Sequence, residues 1–238
     1  MGVYAWSFGC SASEVTALLS RWDGKLGAVL YPQAYGAALK PGRFIAFCGG
    51  SDDARTVAGL VDKGAKFDAA VYLDEQNGRM PTSGYLKQAA NMKTVLDSVS
   101  VPFWGMTTRG LSNGRADLAF LRGEVSALRL PRVCWNSSGS RDGILLDAGS
   151  IKMPWLLSPH PYRLTFWPPF NSGWLNWILD HLHGRTARWY VELAKKRADI
   201  DVAFWCLRAY GPGQFGLHRK DGSLSSLGKA VRAILVGR

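Results

Sequence analysis

The stretch "VYLDEQNGRM" (residues 71–80) carries an apolar run, begun at Ala69, into two adjacent carboxylates, Asp74 and Glu75. A carboxyl group at the end of a buried strand suits general acid or base work, because partial burial moves its pKa toward neutrality. Neighbours on a strand point to opposite faces, so Asp74 and Glu75 do not make a facing pair. The same pattern also fits an ordinary strand meeting a solvated turn. What decides between the two is whether other chemistry-bearing residues end up beside Glu75.

The ends of the other apolar runs supply Trp6, Tyr31, Gln33, Trp167, Trp205 and Arg208. Rings, an amide and a guanidinium suit a sugar: apolar pyranose faces stack on aromatic rings, and hydroxyls need amides, carboxylates or Arg. The chain has 10 Trp in 238 residues, and more than half are expected in the core.

The elements that must position these residues alternate along the chain. Apolar runs near 3–8, 26–31, 44–48, 69–73, 102–107, 125–130, 162–167 and 201–208 read as strands. "RVCWN" competes with 125–130 for the sixth. Helical patterns lie between them: "SASEVTALLSRW" with a Ser11 or Ser13 cap, "SDDARTVAGLVDKG" with Ser51 as cap and Gly64 as stop, and "SGYLKQAANMKTVLDSV" with Tyr85, Ala89, Met92 and Leu96 on one face. "SLSSLGKAVRAIL" closes the chain. Residues 136–160, rich in Ser, Gly and Pro, predict a long excursion after strand six. Runs apolar throughout belong to strands buried on both faces of a parallel sheet. Eight of them in 238 residues predict an α/β fold, a single (β/α)8 TIM barrel in one domain spanning 1–238. An open doubly wound sheet is the alternative, but no GxGxxG turn follows the first strand.

"YLDEQNG", followed by a helix with an early Tyr and then a strand, resembles the fourth-strand segment of clan A glycoside hydrolases. The tail "FWCLRAYGPGQFGLHRKDGSLSSLGKAVRAIL" is similar to the closing segment of such barrels. The resemblance implies that Glu75 occupies the acid/base position. Asp74 stands where the family has Asn, and Gln76 where it has Pro. The family's nucleophilic Glu ends strand seven, where this chain offers "YRLTFWPPFNSGW" without an acid. Retaining hydrolysis needs two carboxyl groups about 5 Å apart, and inversion roughly 6.5–9.5 Å. Asp142 and Asp147 sit in turn-like "RDG" and "DAG" contexts, and Asp180 lies mid-helix.

Other chemistries are weaker. No GxSxG elbow is present. His181 and His183 are two apart on a helical pattern and share no face, so no metal or cofactor is expected. The cysteines are single, without CxxC spacing. The net charge of +11 favours an anionic partner, but the basic residues are scattered and nucleic acid is not expected. No secretory signal or membrane-length apolar run is evident, which leaves the localisation unassigned.

The expectation is a degenerate glycoside-hydrolase-like barrel that binds an oligosaccharide or cell-surface glycan, or builds an assembly with neighbouring subunits, without efficient hydrolysis. By analogy, its setting is a phage tail or virion. The alternatives are an active glycosidase with Glu75 as acid and a second carboxylate elsewhere, or a purely structural virion subunit.

Overall fold

The computed structural model describes residues 2–36, 42–73, 82–107, 126–137, 155–159, 188–204, 206–209 and 216–237. Its elements are β1 (Val3–Trp6), α1 (Ala12–Leu19), β2 (Gly27–Leu30), β3 (Phe44–Cys48), α2 (Ser51–Asp62), β4 (Ala69–Leu73), α3 (Thr82–Ser98), β5 (Phe103–Thr107), β6 (Val133–Ser137), β7 (Trp155–Pro159), α4 (188–196), β8 (Ile200–Phe204) and α5 (Ser226–Leu235). Consecutive strands pair in parallel, and β8 pairs in turn with β1. Helices follow β1, β3, β4 and β8, and α4 precedes β8. The chain is thus an α/β protein built on a parallel barrel-type sheet.

Residue alternation separates two layers of core. Tyr4, Trp6, Val29, Ile45, Phe47, Ala69, Val71 and Ala203 cluster together on one face of the strands. Val3, Ala5, Ala28, Leu30, Phe44, Val202 and Phe204 pack on the other face with α1, α4 and α5 residues such as Val15, Val191 and Val231. Ala46, Cys48, Ala70, Tyr72 and Phe103 pack with α2 and α3 through Val57, Tyr85, Ala89, Met92 and Leu96. Both faces of each of these strands are covered, which is why the runs are continuously apolar.

Two expectations about strands are corrected. The sixth strand is Val133–Ser137, not 125–130. Residues 126–128 form a helical turn, and Arg129 takes a left-handed φ of 50° that an extended strand does not allow. Leu128 and Leu130 instead pack against the layer held by α2 and α3. A short apolar run does not distinguish a strand from a helical turn. The seventh strand is Trp155–Pro159, bonded to β6 on one side and β8 on the other. It lies inside the stretch expected to be a long excursion, and Pro159 stands at its end, where a missing N–H is tolerated. The expected strand at 162–167 falls outside the described residues, as does the excursion that remains, 138–154.

The N-terminal end of the ring is closed by charge. Asp201 of β8 accepts from the backbone N–H of Gly2 and from Arg132, both at 2.5 Å. Arg132 also lies over the Trp104 ring, 5.0 Å from its centroid. Beside them the Tyr4 hydroxyl donates to Asp68 at 2.8 Å and accepts from Arg43 at 2.7 Å. Burial, opposed by Arg43, pushes the Tyr4 pKa well up, so the phenol stays protonated. The Tyr4 ring needs Gly27 on β2: a Cβ there would sit 2.5 Å from it.

A second buried polar joint ties the chain's end to its beginning. His218, fully buried, accepts from the Trp22 indole N–H at Nε2 (2.8 Å) and faces the Gly222 carbonyl at Nδ1 (3.0 Å). That geometry selects the neutral tautomer with the proton on Nδ1. Burial, opposed by the Gly222 carbonyl and reinforced by Arg21, holds the His218 pKa below its ordinary value.

Two outcomes follow from these joints. Asp201→Ala takes the shared carboxylate from Arg132 and Gly2, and is expected to lower unfolding free energy by about 3–5 kcal/mol, read as a shift in the urea midpoint. A loss under about 1 kcal/mol would show the joint to be dispensable. For His218 the folded pKa lies below the unfolded one, so the unfolded chain takes up the proton first. The joint's contribution is complete above about pH 6.5 and is lost as pH falls through the folded pKa. Thermal scans between neutral and acidic pH should show that loss in the wild type, with a smaller slope in His218→Asn.

Candidate functional site

The C-terminal ends of β1, β2 and β3 converge on an aromatic group. Trp6 ends β1, Tyr31 follows β2, and Phe47 lies one residue before the end of β3. Their rings lie 5.8 Å (Trp6–Tyr31), 6.2 Å (Trp6–Phe47) and 4.6 Å (Tyr31–Phe47) apart, and Phe8 meets Tyr31 edge-on at 5.2 Å. These are tilted and edge-on geometries favoured by the ring quadrupoles. Trp6 is fully buried and Tyr31 7% exposed, while Phe8 is half-buried. Trp6 is therefore a floor supporting the outer rings.

The backbone sets this arrangement. Ser7 continues β1 by donating its N–H to the Val29 carbonyl at 2.9 Å, and its hydroxyl accepts from the Tyr31 N–H at 3.1 Å. Pro32 then starts a short 3-10 turn, Pro32–Ala34, its fixed φ suited to a first helical position. The turn leaves Gln33 exposed at the rim. The Tyr35 hydroxyl donates to the Phe47 carbonyl.

Two carboxylates near these strand ends are engaged by helix starts. Glu14 forms a capping box with Ser11 and accepts from Arg208. The Ser11 hydrogen bonds first, and then Arg208, hold its carboxyl below the usual range. Asp53 accepts from the Gly49 N–H at 2.7 Å at the start of α2. Arg208 also reaches the Gly9 carbonyl at 3.3 Å, so a sugar hydroxyl would compete with Glu14 and Gly9 for its guanidinium. Burial, with the Asp53 charge adding to it, pushes the Cys48 thiol up to about 12, which removes it as a nucleophile at neutral pH.

Of the residues expected to form a site, the structure brings Trp6 and Tyr31 into contact, leaves Gln33 on the nearby rim, and binds Arg208 to α1. Asp74, Glu75, Trp167 and Trp205 lie outside the described residues. The sequence reading missed Phe8 and Phe47. Strand alternation was the available signal: Phe47 shares the face of Ile45, two residues back. Among the described residues no cluster of His, Cys, Asp and Glu suits a metal ion, and no helix is long and apolar enough to cross a membrane.

No family profile matches the chain, and no curated protein matches it in sequence. Solved structures do match in fold. Two are GH128 subgroup VII oligosaccharide-binding proteins. The one from Trichoderma gamsii has a TM-score of 0.56 at 11% identity, covering 99% of this chain and 93% of its own. The one from Cryptococcus neoformans has a TM-score of 0.58 at 11% identity, covering 100% and 94%. A sialic acid aldolase from Ruminococcus gnavus matches at a TM-score of 0.51 and 12% identity, over 85% of this chain and 67% of its own. At these identities the likeness is one of fold, and the fold is that of TIM-barrel-like proteins.

Trp6→Ala is expected to cost about 3–5 kcal/mol of stability, measured by urea unfolding, because it opens a cavity beneath Tyr31 and Phe47. Phe8→Ala, at a half-buried position, should cost clearly less. Equal costs would mean that Trp6 is not the floor of the group.

Proposed function

We propose that this chain is a glycan-binding protein on a glycoside-hydrolase-like scaffold, a complete (β/α)8 barrel in one domain over residues 1–238, without efficient hydrolysis. An oligosaccharide enters at the C-terminal mouth. Tyr31 and Phe8, backed by Trp6, offer it an apolar ring platform, and Gln33 offers an amide at the rim. Trp167, Trp205 and Arg208 are the further binding residues in this proposal. Glu75, with Asp74 beside it, occupies the acid/base position by resemblance. The observation that carries the reading is the fold match, over nearly the full chain, to two oligosaccharide-binding proteins.

The lack of an Asp or Glu in the strand-seven stretch supports binding over turnover. Moving strand seven to Trp155–Pro159 does not restore one, because the sequence has no Asp or Glu between Asp147 and Asp180. On this reading strand seven itself supplies no acid to form a glycosyl ester or to activate water. General acid catalysis alone contributes about 10²–10⁴-fold, far short of the 10⁶-fold and more typical of enzymes. No contact in the described residues bears on a phage-tail or virion setting, which stays outside this proposal.

A paired assay tests the reading. Wild type and Glu75→Gln should both lack hydrolysis of aryl glycosides and cell-wall polysaccharides, and both should bind a neutral oligosaccharide such as a β-glucan fragment. Phe8→Ala or Trp167→Ala should weaken that binding by about 3–10-fold, the worth of one stacking ring. Hydrolysis abolished by Glu75→Gln would establish the glycosidase alternative. No affinity for any glycan would leave a purely structural subunit.

A further inference from the structure

We infer that one outer flank of the molecule, away from the aromatic mouth, is a second binding surface that takes an anionic polysaccharide. The flank is assembled from three segments far apart in sequence: the turn after α1, the 216–225 hairpin, and α5. Arg21 donates to the Gly222 carbonyl at 2.8 Å, and Arg232 of α5 donates to the Arg21 carbonyl at 3.0 Å. The hairpin is held by Arg219 N–H to Ser223 at 2.8 Å and by the buried His218–Trp22 joint. These bonds bring Arg21, Lys25, Arg219, Lys220, Lys229 and Arg232 onto one surface. All are exposed except Arg232, which is partly so. α4 adjoins the same surface, since Lys195 donates to the Ile234 carbonyl at 2.7 Å, and adds the exposed Lys196.

The carboxylates on these segments do not balance that charge. Asp221 is bonded to the Ser223 N–H and hydroxyl within its own turn, at 2.9 and 2.7 Å. Asp23 and Glu192 are the others. The flank made by α2 and α3 is mixed in sign: Asp52 pairs with Arg55 and Asp97 with Lys93, and Asp62 stands beside Lys63. Among the described residues this flank therefore carries an excess of positive charge that the α2–α3 flank lacks. A surface of one sign attracts a polymer of the other and gives binding that falls steeply with salt.

Ring placement argues for a glycan over a single-stranded nucleic acid. Single strands are held by exposed aromatic rings on which bases stack. Among the described residues of this flank Trp22 and Tyr190 are buried, and Trp189 is half-buried against Tyr190. A polymer with carboxylates or phosphates at intervals along a sugar or polyol backbone needs only the cations. The choice of polymer rests on the glycan-binding reading of the mouth, while the charged surface itself does not.

The probe is polygalacturonate, with dextran as uncharged control and a short duplex DNA as competing class. Binding is measured by calorimetry at about 50 and about 300 mM NaCl, where screening lengths differ roughly twofold. The variants are the exposed triple Arg219→Gln, Lys220→Gln, Lys229→Gln and the control triple Lys63→Gln, Lys66→Gln, Lys87→Gln, which removes equal charge from the other side. Thermal melting checks that both triples fold. The wild type should bind polygalacturonate but not dextran, and more weakly at the higher salt. The flank triple should lose about tenfold in affinity at low salt, as expected for three exposed charge contacts, with the control triple within about twofold. Equal losses in both triples, no salt-sensitive binding by the wild type, or tighter binding to duplex DNA erased by the flank triple would overturn the inference. Binding of the neutral β-glucan fragment is followed in parallel. Its absence alongside intact polygalacturonate binding would remove the mouth reading and leave the flank standing.

Discussion

Closure of the strand ring is the constraint on which the rest of the structure depends. β8 pairs with β1 in the register Val3↔Val202 through Ala5↔Phe204, which joins residues nearly two hundred positions apart. Backbone ladder bonds hold the seam, and Asp201 reinforces it by accepting from Gly2, which directly precedes β1, and from Arg132, which directly precedes β6. A buried carboxylate is tolerated there only because an N–H and a guanidinium surround it. The aromatic residues at the other end of β1–β3 are spaced by the direct pairing of these three strands.

The mouth shows how local needs consume chemistry. A helix begins with unsatisfied N–H groups, and near the strand ends these recruit Glu14 at α1 and Asp53 at α2. Both carboxylates are thereby bound to their own helix starts, and Glu14 also takes up Arg208. What remains toward the mouth at β1 to β3 is a set of rings on a buried Trp floor. On these rings rests the glycan binding proposed for the mouth.

The C-terminal tail does structural work at the flank that also carries charge. Ser225 caps α5 by accepting from Gly228, and it donates to the Gly216 carbonyl at 2.6 Å. Gly228 has no room for a side chain, since a Cβ there would lie 1.9 Å from the Leu217 carbonyl oxygen. The hairpin is joined in turn to the segment after α1 by the His218–Trp22 hydrogen bond.

The sequence by itself determined the parallel α/β character, most strand and helix positions and the Ser11 cap, because these depend on local periodicity and on side chains close along the chain. The core-facing side of α3 with Tyr85, Ala89, Met92 and Leu96 was legible for the same reason. Strands six and seven were not. "SALRL" and "PWLLSP" are both short apolar runs between turn residues, and only the vacant slot between β5 and β8 decided which segments entered the sheet. Leu128 and Leu130 then served as outer packing residues. The partners of each polar group were also a tertiary decision. Nothing local marks Asp201 for Gly2 and Arg132, His218 for Trp22, or Arg208 for Glu14, because each pair is joined only when the ring closes and distant segments become neighbours.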